Sequence, residues 1–261
     1  MIRDVLEALR PKVVVNCAAW TAVDAAEREP AACRLVNTAA VEQLAAGCNA
    51  IDAVLVQVST DYVFGRDASR QSPYAEADAT GPVNEYGMSK LAGEQAAATA
   101  ARHLIVRTCG LYAADPGGPI RGRNFADTML ALAAERDELR IVADQHCTPS
   151  FVPDVAEGIL HLLARDATGL FHLVNSGSTS WHGFASELFR AAGIHMTLKP
   201  IPTSDYPTPA RRPAYSVLDT AKFATTTGSR LPSWQSGIAA YLRKNPNLFS
   251  LTEGTSCSQS S

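Results

Sequence analysis

The sequence predicts an α/β fold built around a parallel β-sheet, and three observations support this prediction. Short aliphatic or β-branched runs, each long enough for a strand buried on both faces, occur at residues 13–15, 53–58 and 103–108. Segments with helical periodicity separate these runs. Small or polar residues follow each run, as expected where parallel strands end at a binding crevice. Strand alternating with helix favours right-handed βαβ units.

The first half of the chain alternates regularly. An amphipathic segment at residues 2–10 predicts a helix, which Pro11 ends because proline cannot donate a helical hydrogen bond. The buried runs predict strands at 13–15, 53–58 and 103–108. Further helices are predicted at residues 20–27, 31–48 and 86–102, with Pro30 separating the first two.

The second half is less regular. Residues 199–213 are rich in proline and are predicted to form an extended loop. The Ser/Thr-rich residues 247–261 have little to bury and are predicted to form a disordered tail. The segment 115–119 reads as a flexible turn. Helices are predicted at 124–135, 152–164, 180–192 and 232–243. Thr179 or Ser180 is predicted to cap the third of these helices. Short strands are predicted at 139–142 and 170–174.

Composition narrows the classes of protein. The 261 residues are 46% hydrophobic and 19% charged, which is typical of a globular protein of one large or two small domains. The net charge of -3 indicates no basic surface for nucleic acid. No apolar run approaches a membrane span, and the first residues lack the apolar core of a signal peptide. Six cysteines without any Cys-x-x-Cys spacing predict reduced thiols in a cytoplasmic protein, with no zinc site.

The strongest chemical signal is Tyr86 followed by Lys90 within a predicted helix. Residues four apart on a helix lie on one face, so an ammonium is placed near a phenol. A nearby positive charge is expected to lower the pKa of the phenol from about 10, which suits proton transfer to a carbonyl oxygen. The spacing alone also fits a surface tyrosine beside a solvated lysine.

Longer segments around this pair resemble the extended short-chain dehydrogenase/reductase superfamily. Within it, the resemblance is to the dTDP-4-dehydrorhamnose reductase family and covers roughly residues 2–245. The segments that carry it are Val15 to Asp24, Ser59 to Phe64, Asn84 to Glu94, Asn124 to Leu130 and Tyr206 to Pro213.

The resemblance implies that NADPH or NADH gives a hydride to the C4 ketone of dTDP-4-dehydro-L-rhamnose. It implies that Tyr86 protonates the emerging alkoxide, and that Lys90 keeps Tyr86 reactive and contacts the nicotinamide ribose. Thr60 would donate a hydrogen bond to the ketone oxygen. The substrate-binding residues would be Thr60, Asp61, Asn124 and Arg211, with Asp61 in the sugar pocket. By the same resemblance, the cofactor-contacting turn is Ala18, Ala19, Trp20 and Thr21.

Structural readings of these residues stay open beside the functional ones. Thr60 also fits an ordinary end of a strand, and Trp20 fits simple core packing. Arg211 and Arg212 suit bidentate contact with a diphosphate, but a surface salt bridge fits them equally. Asn124 fits a helix cap as well as a sugar contact.

The chain departs from the family in lacking a Gly-x-x-Gly-x-x-Gly turn between a strand and a helix, where the pyrophosphate binds. The glycine-rich residues 117–122 follow no predicted strand. We therefore expect a partial Rossmann-like parallel sheet lacking the first strands, with an apolar edge at Val13 to Val15. A fragment or misplaced start codon, strands supplied by another chain, and loss of catalysis all fit. The 261 residues are expected to bind dinucleotide poorly.

The predicted domains follow from the same resemblance. A truncated dinucleotide-binding domain comprises residues 1–110 and part of 140–165. A smaller mixed C-terminal substrate-binding region comprises 111–139 and 166–246. Magnesium and a homodimer are left open by the resemblance, with no metal ligands identified and no nucleic acid or membrane partner expected.

A second departure is Cys109-Gly110, where many members have Ser-Trp and the tryptophan packs on the sugar. The exact nucleotide sugar is therefore open. Two alternative functions remain: a reductase or epimerase of another nucleotide sugar, and a non-catalytic regulatory subunit resembling the methionine adenosyltransferase β subunit.

Overall fold

A computed structural model describes residues 2–113 and 124–245 of the chain. The described strands are β1 (Val13–Asn16), β2 (Val54–Thr60), β3 (His103–Thr108), β4 (Leu111–Tyr112), β5 (Glu138–Val142), β6 (His146–Cys147), β7 (Ser150–Phe151), β8 (Gly169–His172), β9 (Thr179–Ser180) and β10 (Thr197–Ile201). The α-helices are α1 (Ile2–Leu9), α2 (Val23–Ala26), α3 (Pro30–Arg34), α4 (Ala40–Ile51), α5 (Glu85–Ala97), α6 (Phe125–Ala133), α7 (Val152–Leu163), α8 (Trp181–Ala192), α9 (Ala221–Thr227) and α10 (Trp234–Lys244).

The main sheet has four parallel strands in the order β1-β2-β3-β8. This arrangement confirms the predicted α/β fold with a parallel sheet. In the register of the central pair, Thr60 lies opposite Thr108. Both threonines are at the carboxyl ends of their strands, so the residues that follow them meet at one edge of the sheet.

Helices cover both faces of the sheet, which explains the continuous apolar runs in the sequence. On one face, Leu55 and Ile105 pack with residues of α4 and α5. On the other face, Val56, Leu104 and Val106 pack with α7 and α9. Successive side chains of a strand point to opposite faces, so each strand contributes to both layers. Full burial of one such side chain is worth about 1.5–3 kcal/mol.

The outer edge of β1 is apolar and exposed in the described residues. Val13 is 37% exposed and Val15 is 47% exposed, and β2 is the strand that pairs with β1. Val5 and Leu9 of α1 are also exposed, at 51% and 73%. The apolar edge predicted at Val13 to Val15 is therefore present.

A second core lies in the C-terminal half. It is built from α6, α8, α10 and β5, and its buried aromatic residues are Tyr112, Phe151, Phe184, Phe189, Trp234 and Tyr241. β5 pairs in parallel with β10. The predicted extended loop at 199–213 is wrong at its start, because β10 includes Pro200. Proline is tolerated there since β10 is an edge strand of a two-stranded sheet.

Two other predictions need correction. The helix predicted at 31–48 is α3 and α4 joined by a π-helical turn, Leu35–Ala39. Such turns insert a residue into an α-helix and are common at functional sites. The helix predicted at 20–27 is the short α2.

Three predicted segments lie outside the described residues. They are the turn at 115–119, the glycine-rich residues 117–122 and the tail at 247–261. The division into two domains stays a prediction; β8, from the segment assigned to the substrate-binding region, pairs with β3 in the main sheet. Across residues 2–113 and 124–245, none of the helices combines the length and apolarity that a bilayer crossing requires.

Candidate active site

The helix α5 carries the pair that the sequence predicts to transfer a proton, Tyr86 and Lys90. Asn84 caps it, and its side-chain oxygen accepts a hydrogen bond from the Gly87 backbone N–H at 2.7 Å. Gly87 is required by close packing, because a Cβ there would lie 2.3 Å from the carbonyl oxygen of Tyr62. The start of α5 is thereby held against the turn that follows β2, which places Tyr86 beside Thr60.

Thr60 and Tyr86 lie together at the carboxyl end of β2. The Thr60 hydroxyl is within hydrogen-bonding reach of the Tyr86 phenol. It also accepts from the backbone N–H of Tyr62, which caps the 3₁₀ turn Asp61–Val63. The ring of Tyr62 meets the Tyr86 ring edge-on, with 5.7 Å between centroids. The predicted juxtaposition of Thr60 and Tyr86 is therefore present.

The expected lowering of the Tyr86 pKa is wrong. Burial raises the pKa of Tyr86, and the hydrogen bond to Thr60 opposes this rise only in part. The Lys90 ammonium donates to the backbone oxygen of Val58 at 2.6 Å. Tyr86 is therefore a protonated phenol, which is the state a proton donor requires.

Lys90 is almost fully buried, at 4% exposure, which is unusual for lysine. Burial lowers its pKa to about 8, and the charge of Glu94 opposes this shift. An ammonium has three N–H donors, and Val58 accepts from one of them. Its remaining donors suit a diol such as a ribose, so Lys90 fits the expected cofactor.

Asp61 lies at the centre of a buried cluster of hydrogen-bond donors. Its carboxylate accepts from the Ser216 hydroxyl at 2.5 Å, from the Cys109 thiol at 3.1 Å and from the Thr60 hydroxyl at 3.2 Å. Burial raises the pKa of Asp61, while these hydrogen bonds, led by that of Ser216, oppose the rise. The buried polar cluster around Asp61 is therefore built partly by residues far away in the sequence.

Asn37 joins the predicted cofactor turn to the catalytic helix, and sequence reasoning missed it. It is 1% exposed and lies in the π-helical turn. Its side-chain oxygen accepts from the backbone N–H of Trp20 at 2.8 Å, and its amide nitrogen donates to the Ser89 hydroxyl at 2.9 Å. Ser89 donates in turn to the backbone oxygen of Tyr86 at 2.7 Å.

The predicted cofactor turn lies just after β1. Ala18 and Thr21 are exposed, and Ala19 and Trp20 are partly buried. The Trp20 indole N–H donates to the backbone oxygen of Ala22 at 3.1 Å. Trp20 therefore does not belong to the buried core, and its ring remains accessible. Contact with the cofactor stays a prediction.

Other predicted site residues have structural partners. The Asn124 side chain caps α6, accepting from Asp127 at 2.9 Å, and donates to the Ala113 backbone oxygen at 3.0 Å. Arg211 is exposed. The neighbouring Arg212 forms a salt bridge with Asp24 at 2.9 Å. Sugar contact by Asn124 and diphosphate contact by Arg211 remain predictions.

A buried ion pair joins α5 to β3 next to the candidate site. Arg107 of β3 and Glu94 of α5 form two hydrogen bonds, at 2.9 and 2.8 Å. Ser59, next to Thr60, donates to the same Glu94 carboxylate at 2.5 Å. Bidentate pairing fixes both partners in one geometry. The pair therefore fixes α5 against the two central strands.

Within the described parts of the chain, acidic, histidine and cysteine side chains form no group of three or more suited to a metal ion. The magnesium left open by the sequence resemblance therefore has no support from these residues. The Thr108 hydroxyl, buried opposite Thr60, has no hydrogen-bond partner in the described protein. An unpaired buried hydroxyl is costly, so it fits a site that a polar ligand completes.

Comparisons with known proteins agree with this geometry. Residues 1–246 match the family described as "RmlD substrate binding domain". A dTDP-4-dehydrorhamnose reductase from Burkholderia thailandensis is 44% identical, over 92% of this chain and 84% of that protein. The enzyme of the same name from Escherichia coli is 42% identical, over 93% and 83%.

Solved structures give the same result. A dTDP-4-dehydrorhamnose reductase from Bacillus anthracis, in complex with NADP, superposes with a TM-score of 0.87 at 34% identity. The alignment covers 93% of this chain and 84% of that one. A Clostridium acetobutylicum protein described as a dTDP-4-dehydrorhamnose reductase has a TM-score of 0.87 at 37% identity, with the same coverage.

Proposed function

Because this chain belongs to the RmlD substrate binding domain family, we propose that it reduces dTDP-4-dehydro-L-rhamnose to dTDP-L-rhamnose with a nicotinamide cofactor. The observation that carries the proposal is that Thr60 and Tyr86 lie together at the carboxyl end of β2, with Lys90 one turn further along α5 donating to Val58 of the same strand. The relatives' names support an NAD(P)H-dependent oxidoreductase of dTDP-rhamnose synthesis and do not favour a regulatory subunit.

The chain's own residues would supply the proton that the reduction requires. When bound, the cofactor supplies the hydride that adds to the C4 carbon of the ketone. Tyr86 transfers its phenolic proton to the oxygen at C4, which becomes a hydroxyl. Thr60 would turn its one hydroxyl proton from Asp61 to this oxygen while negative charge develops on it. Lys90, protonated at neutral pH with a pKa of about 8, places a positive charge beside the tyrosinate that Tyr86 becomes.

The cofactor would be held by the turn from Ala18 to Thr21 and by Lys90. Small side chains after β1 allow close approach of a ligand to the backbone. The NADP bound to the Bacillus anthracis relative supports a nicotinamide cofactor here. We propose NADPH as the donor, to be compared with NADH in the same assay. A homodimer remains part of the proposal, and sedimentation of the purified chain tests it.

Replacement of Tyr86 by phenylalanine tests the chemistry. Tyr86→Phe keeps the ring but removes the proton, so turnover should fall by about 10²-fold or more. In a protein that also carries the family's glycine-rich turn, NADPH affinity, titrated separately, should change by no more than a few-fold. The assay follows loss of nicotinamide absorbance together with formation of dTDP-L-rhamnose.

Tyr74→Phe is the matched control. Tyr74 is a buried tyrosine whose ring stacks on Phe64 with 4.0 Å between ring centroids and lies under the Arg70 guanidinium. Its variant should keep wild-type turnover. Equal loss of turnover and of NADPH binding in Tyr86→Phe would show that Tyr86 is structural. Turnover of another nucleotide sugar, but not of the dTDP-rhamnose precursor, would favour the alternative reductase.

A further inference from the structure

Gly110 lies just beyond the end of β3, next to the buried polar cluster around Asp61. Its neighbour Cys109 donates a hydrogen bond to Asp61. The backbone of Gly110 has a φ of 49°, and a Cβ built on it would lie 3.1 Å from Cη2 of Trp181. The outer end of the Trp181 ring therefore rests directly against Gly110, and the lack of a side chain at residue 110 makes room for it.

Trp181 comes from a different part of the chain. It is the first residue of α8, and Ser180 caps this helix by accepting from the Gly183 backbone N–H at 3.1 Å. The ring packs against both the C-terminal core and the cluster that contains Cys109 and Cys147, yet it remains only partly buried. The Trp181 ring therefore lies between the C-terminal core and the cluster that contains Cys109 and Cys147, and part of its surface is exposed to solvent.

A second aromatic ring supports Trp181. The ring centroid of Phe125, the first residue of α6, is 4.7 Å from that of Trp181, with 49° between the planes. Phe125 is also only partly buried. Two aromatic side chains from separate helices thus meet, and one of them lies against Gly110, the neighbour of the Cys109 that donates to Asp61.

Polar groups on one side and an aromatic face on the other suit a sugar ring, which has hydroxyl groups and an apolar C–H surface. We propose that Trp181, supported by Phe125, forms the wall on which the deoxyhexose ring of the nucleotide sugar packs. It would take the place of the tryptophan that the sequence resemblance expects at residue 110. This inference rests on the proposed function and names a specificity-determining residue for it.

Binding of dTDP-L-rhamnose and of dTDP to the whole chain tests the inference. The chain has three tryptophans, Trp20, Trp181 and Trp234, so labelling with 5-fluorotryptophan gives three ¹⁹F signals. Trp181→Phe identifies the signal of Trp181. We expect dTDP-L-rhamnose to shift this signal and dTDP to leave it in place. The buried Trp234 provides an internal control, because its signal should not move.

Calorimetry on Trp181→Leu gives the second measurement. Loss of the aromatic face should weaken dTDP-L-rhamnose binding by about tenfold and leave dTDP binding within about twofold. Should Trp181→Leu fail to fold, the ¹⁹F measurement on the wild-type chain and Trp181→Phe still decides the question.

The outcomes separate the inference from the proposed function. The packing of the sugar on Trp181 is contradicted if dTDP-L-rhamnose binds without moving the Trp181 signal, or if Trp181→Leu weakens the binding of both ligands equally. Neither result contradicts the proposed function. If neither ligand binds, the proposed function fails and the wall fails with it.

Discussion

At the scale of single residues, Ser216 is the clearest case of a distant side chain that tunes the site. Its hydroxyl makes the shortest hydrogen bond to Asp61, at 2.5 Å. Ser216→Ala should remove a hydrogen bond to a charged group, worth about 1.5–3 kcal/mol, and lower kcat/KM by about tenfold or more. Because this hydrogen bond opposes the rise in the pKa of Asp61, its loss should move the acid limb of the kcat/KM profile to higher pH.

Ser186→Ala is the matched control for this prediction. Ser186 donates to the backbone oxygen of His182 within α8 and does not contact Asp61. Its variant should keep both kcat/KM and the acid limb. A role for Ser216 limited to packing would lower stability without moving the acid limb, and that result would contradict the prediction.

The sequence could predict Tyr86, Lys90 and Thr60 as candidate site residues because their signal is local. The tyrosine and lysine share one helical turn, and Thr60 ends a buried strand. Ser216 and Asn37 give no such signal. Ser216 reaches Asp61 across 155 residues of sequence, and Asn37 reaches Ser89 across 52. Only the folded arrangement of the elements brings these pairs together.

At the scale of elements, the packing of α5 against the π-helical turn depends on a glycine. A Cβ on Gly93 would lie 2.2 Å from the backbone oxygen of Asn37. Gly93→Ala should therefore push α5 away from this turn and lower the free energy of unfolding by about 1–3 kcal/mol. The shift should also lower turnover, since Tyr86 and Lys90 lie on α5.

Met88→Ala controls for a change within the same helix. Met88 is 40% exposed, so its truncation should change stability by less than about 0.5 kcal/mol. Urea unfolding of both variants provides the comparison. If Gly93→Ala and the wild type had the same free energy of unfolding, the close contact between α5 and the π-helical turn would not contribute to stability.

The strand β8 carries a pH-dependent element. His172 is fully buried beside Arg107, whose Nη1 lies 3.4 Å from Nε2 of His172. Burial, with help from the charge of Arg107, lowers the pKa of His172 to about 3. Between pH 6.5 and 3 the unfolded chain binds a proton at this residue and the folded chain does not. His172 therefore lowers the stability as the pH falls through this range.

His172→Phe should remove this dependence. From pH 7 to pH 5, the wild type should lose about 2 kcal/mol of unfolding free energy relative to the variant. Urea unfolding at pH 5, 6 and 7 measures the difference between the two proteins. A difference that stays constant over this range would show that His172 titrates normally in the folded protein.

The sequence predicted the long elements better than the short ones. The strands β2 and β3 and the helices α7 and α8 agree closely with their predicted ranges, because apolar periodicity extends over most of their length. The π-helical turn keeps a helical pattern and shifts its register by one residue, which composition does not reveal. β10 was missed because Pro200 suggests a loop, although an edge strand accepts proline.

At the scale of the whole molecule, the sheet has an unusual surface. One side of the main sheet ends in β1, whose Val13 and Val15 are exposed, and Val5 and Leu9 of α1 are exposed as well. Exposed apolar strand edges offer free backbone groups and favour pairing with another chain. The structure therefore predicts that the described surface promotes self-association of this chain through β1.

Val15→Lys tests this prediction, because a lysine on an edge strand opposes pairing by its charge and its hydration. Sedimentation equilibrium of the wild-type chain should give an average mass that rises above 27.7 kDa with concentration. The variant should stay closer to 27.7 kDa. Leu160→Lys, at a 64% exposed residue of α7, adds the same charge elsewhere and should associate like the wild type. If both lysine variants reduced association equally, net charge rather than the β1 edge would control it.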